Sequence, residues 1–198
     1  MTVDSVRDSY GARAGEYVAA VGSVSHVAAP DLQLIEKWAL GTEGPVLDVG
    51  CGPGQWTHYL TGLGVDAEGV DPVTEFIEHA RATYPYGRYR LGRAEDLGVA
   101  DGALGGVLAW YSLIHTTPEG IDTPLAEFAR CIRPGGGLAL GFFTGATLGP
   151  FEHAVTTAYY WPINLLASKI EDAGFTVTHT ESRADRPARA HGAILATR

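Results

Sequence analysis

Basic charge is the first thing this chain has little of. It sets 14 lysines and arginines against 23 acidic residues, for a formal net charge of −9. A nucleic-acid surface neutralises phosphates with basic side chains, so this balance argues against such a partner. Arginines do gather at Arg183, Arg186 and Arg189, but acids are interspersed and lysines are few, which reads as a solvated face. Cysteine is scarce too. Cys51 and Cys131 are too few for a disulfide framework or a zinc site, and both sit in apolar or glycine-rich surroundings that suit packing. No run of about 18 apolar residues offers a membrane span, and no basic-then-apolar leader opens the chain. These features lead to the expectation of a cytoplasmic protein with reduced thiols, monomeric or homodimeric, with no resident metal and no membrane partner.

What is present is apolar and glycine-rich. Hydrophobic residues make up 45% and charged residues 19%, so a globular core is expected. The 198 residues suit one α/β domain. Glycine, at 26, is in excess, as strand–helix corners would need. The informative stretch runs from Val46 to Trp56. It reads as a short apolar strand carrying Asp48, a turn through Gly50, Gly52 and Gly54, then a helix from Gln55 to Leu63. Glycines here let a ligand approach the backbone, and the helix behind offers unpaired N–H groups and a positive dipole end. A dinucleotide loop would place its third glycine where Gln55 stands, and a phosphate loop would end in Gly-Lys-Ser/Thr, which is missing.

The spacing Asp-x-Gly-x-Gly-x-Gly resembles motif I of the class I S-adenosylmethionine (SAM)-dependent methyltransferases. The string from Cys131 through Pro134 and Gly137 to Leu140 is similar to that family's turn before strand five. The likeness covers the chain from about residue 44 onward. It implies a Rossmann-like three-layer αβα sandwich. The sheet would be seven-stranded and mostly parallel, with an antiparallel C-terminal edge hairpin. It implies SAM as cofactor and S-adenosylhomocysteine as product. In and after the loop, cofactor contacts would come from Asp48, Gly50, Cys51, Gly52, Gly54 and Trp56. Asp71 and Pro72 close strand two. An acid at that strand end, about 20 residues past the glycine turn, can accept both ribose hydroxyls. Ala94 and Glu95 fall where the family holds adenine, with Asp96 as the fallback acid. Trp110 and Tyr111 end strand four, at the carboxyl edge where open α/β sheets bind ligands.

Residues 1–22 read as one amphipathic helix, with Val6, Tyr10, Ala14, Tyr17 and Val21 at three- and four-residue steps and Gly11 and Gly15 as weak points. The resemblance implies a lid over residues 1–29, with Tyr10 and Tyr17 on the substrate wall; core packing would account for the same pattern. Residues 144–161 lack periodicity and are rich in aromatics. They read as a substrate-facing, partly helical segment or a packed connector. Methyl transfer mainly needs alignment, and a base only when the acceptor arrives protonated. Among seven histidines, His115 is the first candidate base and His153 the second, because imidazole accepts protons near neutral pH. Tyr111 and His115 would also meet the substrate. The family's Asp/Asn-Pro-Pro-Tyr tetrapeptide is missing after strand four, which argues against a nucleobase or glutamine acceptor. The expected acceptor is a small metabolite, methylated on oxygen or nitrogen. A SAM-binding cyclase or regulatory module, and an NAD-dependent oxidoreductase, are the alternatives.

Overall fold

A computed structural model describes residues 3–184 and 189–198. Seven strands form one sheet in the order β3-β2-β1-β4-β5-β9-β8. The central strands are β1 (Val46–Val49), β2 (Ala67–Asp71), β3 (Tyr89–Leu91), β4 (Leu104–Trp110) and β5 (Ile132–Phe143). All pair in parallel. β8 (Thr176–Arg183) and β9 (His191–Thr197) form the antiparallel hairpin at one edge, with β9 inserted against β5. This is the Rossmann-like architecture that the resemblance implied.

Alternation along the strands sends side chains to opposite faces, and helices cover both. Leu47, Val49, Val107, Leu138 and Leu140 pack with Leu125 and Phe128 of α6 (Asp122–Cys131) and with Leu166 and Ile170 of α7 (Ile163–Asp172). Val46, Leu108 and Ala139 face the other way. They meet Ile35 and Ala39 of α3 (Ala29–Leu40) and Trp56 and Leu60 of α4 (Gln55–Gly62). The helix α5 (Thr74–Thr83) covers the β2–β3 end with Ile77 and Ala80 on Tyr89. β4 is buried along nearly its whole length, as a central strand covered on both faces must be.

Several local expectations are corrected. Residues 1–22 form two helices, α1 (Val3–Gly11) and α2 (Ala14–Val21), broken just past Gly11; the side chain of Val21 lies outside the described residues. Strand two, whose sequence pattern starts at Val65, opens only at Ala67 because the Val65 N–H turns back to the Leu60 carbonyl at 3.1 Å. Pro72, a residue type suited to a helix's first turn, precedes α5 instead of opening it, since the chain first turns to bring the Val73 N–H onto Asp71. The Arg133–Gly137 stretch is an irregularity within β5: Ile132 pairs with Leu104 and Gly137 with Gly106, so the glycine run bulges between them. Residues 144–161 contain no helix. They form an antiparallel hairpin of β6 (Gly149–Glu152) and β7 (Thr157–Tyr160), and Trp161 anchors its end in the core. The arginine cluster is not one solvated face. Arg183 forms a two-pronged pair with Asp31 at 2.8 and 3.0 Å, Arg189 lies 4.7 Å over the Phe151 ring, and Arg186 lies outside the described residues.

The Asp31–Arg183 pair bolts α3 to β8 across 152 residues, with side chains only 10% and 20% exposed. Removing one member of a buried pair leaves the other charge desolvated and alone. Asp31→Ala should therefore lower unfolding stability by about 2–3 kcal/mol, somewhat less than for a fully buried pair. Urea unfolding followed by circular dichroism would show a lower midpoint at unchanged slope.

Candidate functional site

At the carboxyl ends of β1, β2 and β4 lies a cavity of about 330 Å³. Its floor is the glycine turn after β1. Gly50 and Gly52 adopt φ of +70° and +53°, a region side chains rarely enter. A Cβ on Gly50 would come within 2.3 Å of Ser112 Cβ, so the turn nests directly against the segment after β4. Space beside Gly52 is open until the Tyr17 ring, 3.7 Å from where a Cβ would stand.

Asp71 holds this floor. Its Oδ2 accepts the Gly52 N–H at 2.9 Å and its Oδ1 accepts the Val73 N–H at 2.8 Å. Each oxygen keeps a further lone pair, and Asp71 lines the cavity. Burial pushes its pKa up to about 6, against the lowering effect of the two N–H donors. Glu95, Ala94 and Pro72 stand on the same wall. Two buried oxygens of this cavity, Glu95 Oε2 and Ser112 Oγ, have no hydrogen-bond partner among the described residues. Orphaned acceptors of this kind are costly unless a ligand supplies donors.

The opposite wall comes from α1, α2 and the loop after β4. Tyr10 and Tyr17 line it, together with Phe76, Trp110, Tyr111 and His115. His115 is 7% exposed and held at both ring nitrogens. Nδ1 lies 2.7 Å from the Thr157 carbonyl, which only accepts, so Nδ1 carries the hydrogen. Nε2 therefore presents a lone pair, and the Tyr10 hydroxyl donates to it at 2.8 Å. Burial pulls the His115 pKa down, which keeps the ring neutral. Burial also raises the Tyr17 phenol to about 12 and the Tyr10 phenol further, so both stay protonated.

Tyr111 has φ of +58°, the one positive value outside glycine among the described residues. Such a residue is strained and persists where its surroundings over-determine it. Here its N–H bonds the Gly141 carbonyl at 2.9 Å and its hydroxyl bonds His191 Nδ1, while its ring meets Trp110 and Phe143.

Not every expected residue reaches the cavity. Asp48 is 2% exposed and accepts the Thr57 hydroxyl at 2.7 Å, tying β1 to α4 behind the wall. Cys51, Gly54 and Trp56 likewise pack behind the floor, Cys51 and Gly54 against Ala80 and Tyr89 and Trp56 in the cluster of α3 and α4. His153 is a neighbour of His115, with ring centroids 5.2 Å apart, but does not line the cavity. Burial, aided by His115 and Arg189, pushes it down to about 4. Ser112, Arg7 and Phe76 line the cavity without having been expected there, and the Thr157 carbonyl on β7 had no legible signal at all.

A family model described as a methyltransferase domain matches residues 46–136. An uncharacterized methyltransferase of Synechocystis sp. is 31% identical over 152 residues, covering 72% of each chain. The chain belongs to the class I SAM-dependent methyltransferases. SAM is the methyl donor of this family, and the cavity suits it: lone pairs remain on Asp71, and neither Glu95 Oε2, 4.0 Å from Arg93 Nε, nor Ser112 Oγ has a hydrogen-bond partner among the described residues. The malonyl-[acyl-carrier protein] O-methyltransferase of Pectobacterium atrosepticum is 28% identical over 109 residues. The match takes in 55% of this chain and 42% of that one, so this methyltransferase matches less than half the relative's length. The crystal structure of Burkholderia thailandensis 1,6-didemethyltoxoflavin-N1-methyltransferase, with bound 1,6-didemethyltoxoflavin and S-adenosylhomocysteine, shares the fold. Its TM-score is 0.79 at 21% identity, over 98% of this chain and 87% of that one.

The two buried acids predict an inverted pH response. Burial raises Asp48 to about 7 and Asp71 to about 6, above the roughly 3.9 of an unfolded chain. Between those values the native state binds more protons than the unfolded state, so their contribution is full below about 4 and lost as pH rises through 6 to 7. The ligand-free methyltransferase should melt at a higher temperature at pH 6 than at pH 8. Asp71→Asn, scanned by calorimetry, should show a flatter profile over that range.

Proposed function

We propose that this methyltransferase moves the methyl group of SAM to an oxygen or nitrogen of a small-molecule metabolite in the cytoplasm. The observation that carries the reading is a single cavity with buried Asp71 and partly buried Glu95 at one end and a neutral, oriented imidazole at the other. Free, buried Cys51 and Cys131 are compatible with a reducing compartment.

At the first end, Asp71 would accept the two ribose hydroxyls with the lone pairs its backbone donors leave over. Glu95 would accept the exocyclic amine of adenine beside Ala94, with Asp96 on the exposed side of the same loop. Gly50 and Gly52 leave room for the amino-acid end. Bound SAM supplies a sulfonium whose methyl carbon is already electrophilic, so this chain's task is alignment and, for a protonated acceptor, proton removal. His115 suits that second task. Its Nδ1–H is fixed on Thr157, its Nε2 lone pair faces the cavity, and burial keeps the ring unprotonated at neutral pH. The aromatic wall of Tyr17, Trp110 and Tyr111 would flank a partly apolar acceptor and exclude water. His153 would act through packing on His115. The acceptor's small size is supported by the enclosed aromatic walls and by the absence of a basic surface field in a chain of net charge −9.

Two measurements test these roles. Asp71→Ala should weaken SAM binding by about 1–3 kcal/mol, the worth of hydrogen bonds to a charged group. In the unaltered enzyme, calorimetric affinity should fall as pH drops through about 6, where Asp71 takes up a proton. An unchanged, pH-independent dissociation constant would remove Asp71 from the ribose. His115→Ala should lower kcat by about a hundredfold or more while SAM affinity stays within a factor of about two; equal turnover in the variant would make His115 a wall residue.

A further inference from the structure

The acceptor position on His115 already holds a group, and that group is a phenol. The Tyr10 hydroxyl sits 2.8 Å from Nε2, at the point a deprotonated substrate atom would occupy. Its ring is caged edge-on by three others. Centroid distances are 5.2 Å to Tyr17 at 88°, 5.9 Å to Phe76 at 62° and 5.4 Å to His115 at 70°. Edge-to-face arrangements at these separations are favourable for aromatic pairs. The cage thus matches a hydroxylated ring in shape and in its single polar contact.

Tyr10 is also the removable member of this cage. It stands on α1, which ends one residue later at Gly11, while the imidazole, Phe76 and Tyr17 belong to other elements. α1 is further tied down by an Asp4–Arg93 contact of 3.7 Å, with both side chains about half exposed, and pairs of that kind add little stability. We infer that the Tyr10 side chain is an internal stand-in for the methyl acceptor, and that the acceptor is a hydroxyaromatic compound that takes its place on His115 Nε2. This inference rests on the reading of His115 as base.

The chemistry is balanced for that class. The acceptor O–H proton passes to Nε2 and the oxygen forms the O–CH3 bond as the S–CH3 bond breaks. The sulfonium charge is thereby replaced by an imidazolium charge, and the products are an aryl methyl ether and S-adenosylhomocysteine. The imidazolium then returns its proton to solvent. A phenol near pKa 10 is within reach of such a base, whereas an aliphatic hydroxyl, close to the roughly 16 of water, is far less so.

The test uses p-cresol, which is the tyrosine side chain as a free molecule, and 2-naphthol, with cyclohexanol and benzylamine as contrasts. Binding is measured by calorimetry in the presence of S-adenosylhomocysteine, and turnover by mass-spectrometric detection of the methylated product. Both phenols should bind the unaltered enzyme and yield methyl ethers. 2-Naphthol should bind several-fold tighter to Tyr10→Ala, where the stand-in is gone, and about tenfold more weakly to His115→Ala. A Tyr10→Ala variant that binds 2-naphthol no better, or a His115→Ala variant that binds it equally well, overturns the inference. Methylation of benzylamine or cyclohexanol with none of the phenols also overturns it, and leaves small-molecule methyl transfer standing. Loss of SAM binding in the unaltered enzyme would instead sink the underlying reading together with the inference.

Discussion

The geometry of the site depends on one carboxylate. Asp71 ends β2 and takes a backbone N–H from each side, Gly52 of the loop after β1 and Val73 at the entry to α5. A buried acid costs free energy unless its oxygens find donors, and these two N–H groups would be orphans without it. The exchange locks the glycine turn against the next strand, fixes where α5 begins, and leaves the remaining lone pairs aimed into the cavity. Asp48, one strand over and equally buried, is satisfied by Thr57 behind the wall. Two acids of similar burial therefore divide the work: one braces the frame from behind and the other lines the cavity.

The second constraint is the hairpin of β6 and β7. Its Thr157 carbonyl takes the Nδ1–H of His115, and the Tyr159 N–H bonds the Ile114 carbonyl at 2.9 Å, so the hairpin braces the loop after β4 at two points. The imidazole tautomer, and with it the lone pair offered to the cavity, is set by this brace. Family membership fixes the donor, and the walls set by α1, α2 and this hairpin bear on the acceptor. They are also the parts in which this chain is least like a minimal α/β sheet.

Much of the sheet was legible. The strands at Val46–Val49 and Leu104–Trp110 are apolar runs because burial on both faces leaves a direct imprint on composition, and the C-terminal edge hairpin was anticipated, although its edge strand β8 is mostly exposed and carries no such imprint. The glycine turn was legible for the same local reason: positive φ at Gly50, Gly52 and Gly54 restricts which residues can stand there. Boundaries were less legible. The start of β2 and of α5 depends on hydrogen bonds, Val65 to Leu60 and Val73 to Asp71, that no periodicity displays. Residues 144–161 were read as partly helical because short, half-buried strands with prolines and mixed aromatics lack a clean two-residue alternation.

By itself, then, the chain's sequence determined an α/β sheet, a glycine turn shaped for close approach, and acids at the ends of β1 and β2, since each follows from neighbours within a few positions. Only the tertiary structure decided which acid lines the cavity, which nitrogen of His115 carries the hydrogen, and what the other nitrogen accepts. Those answers come from partners distant in the chain. Thr157 is 42 positions from His115, Tyr10 is 105, and the Asp31–Arg183 bolt spans 152. Contacts at that range are set by packing of whole elements, and local residue preference carries no trace of them.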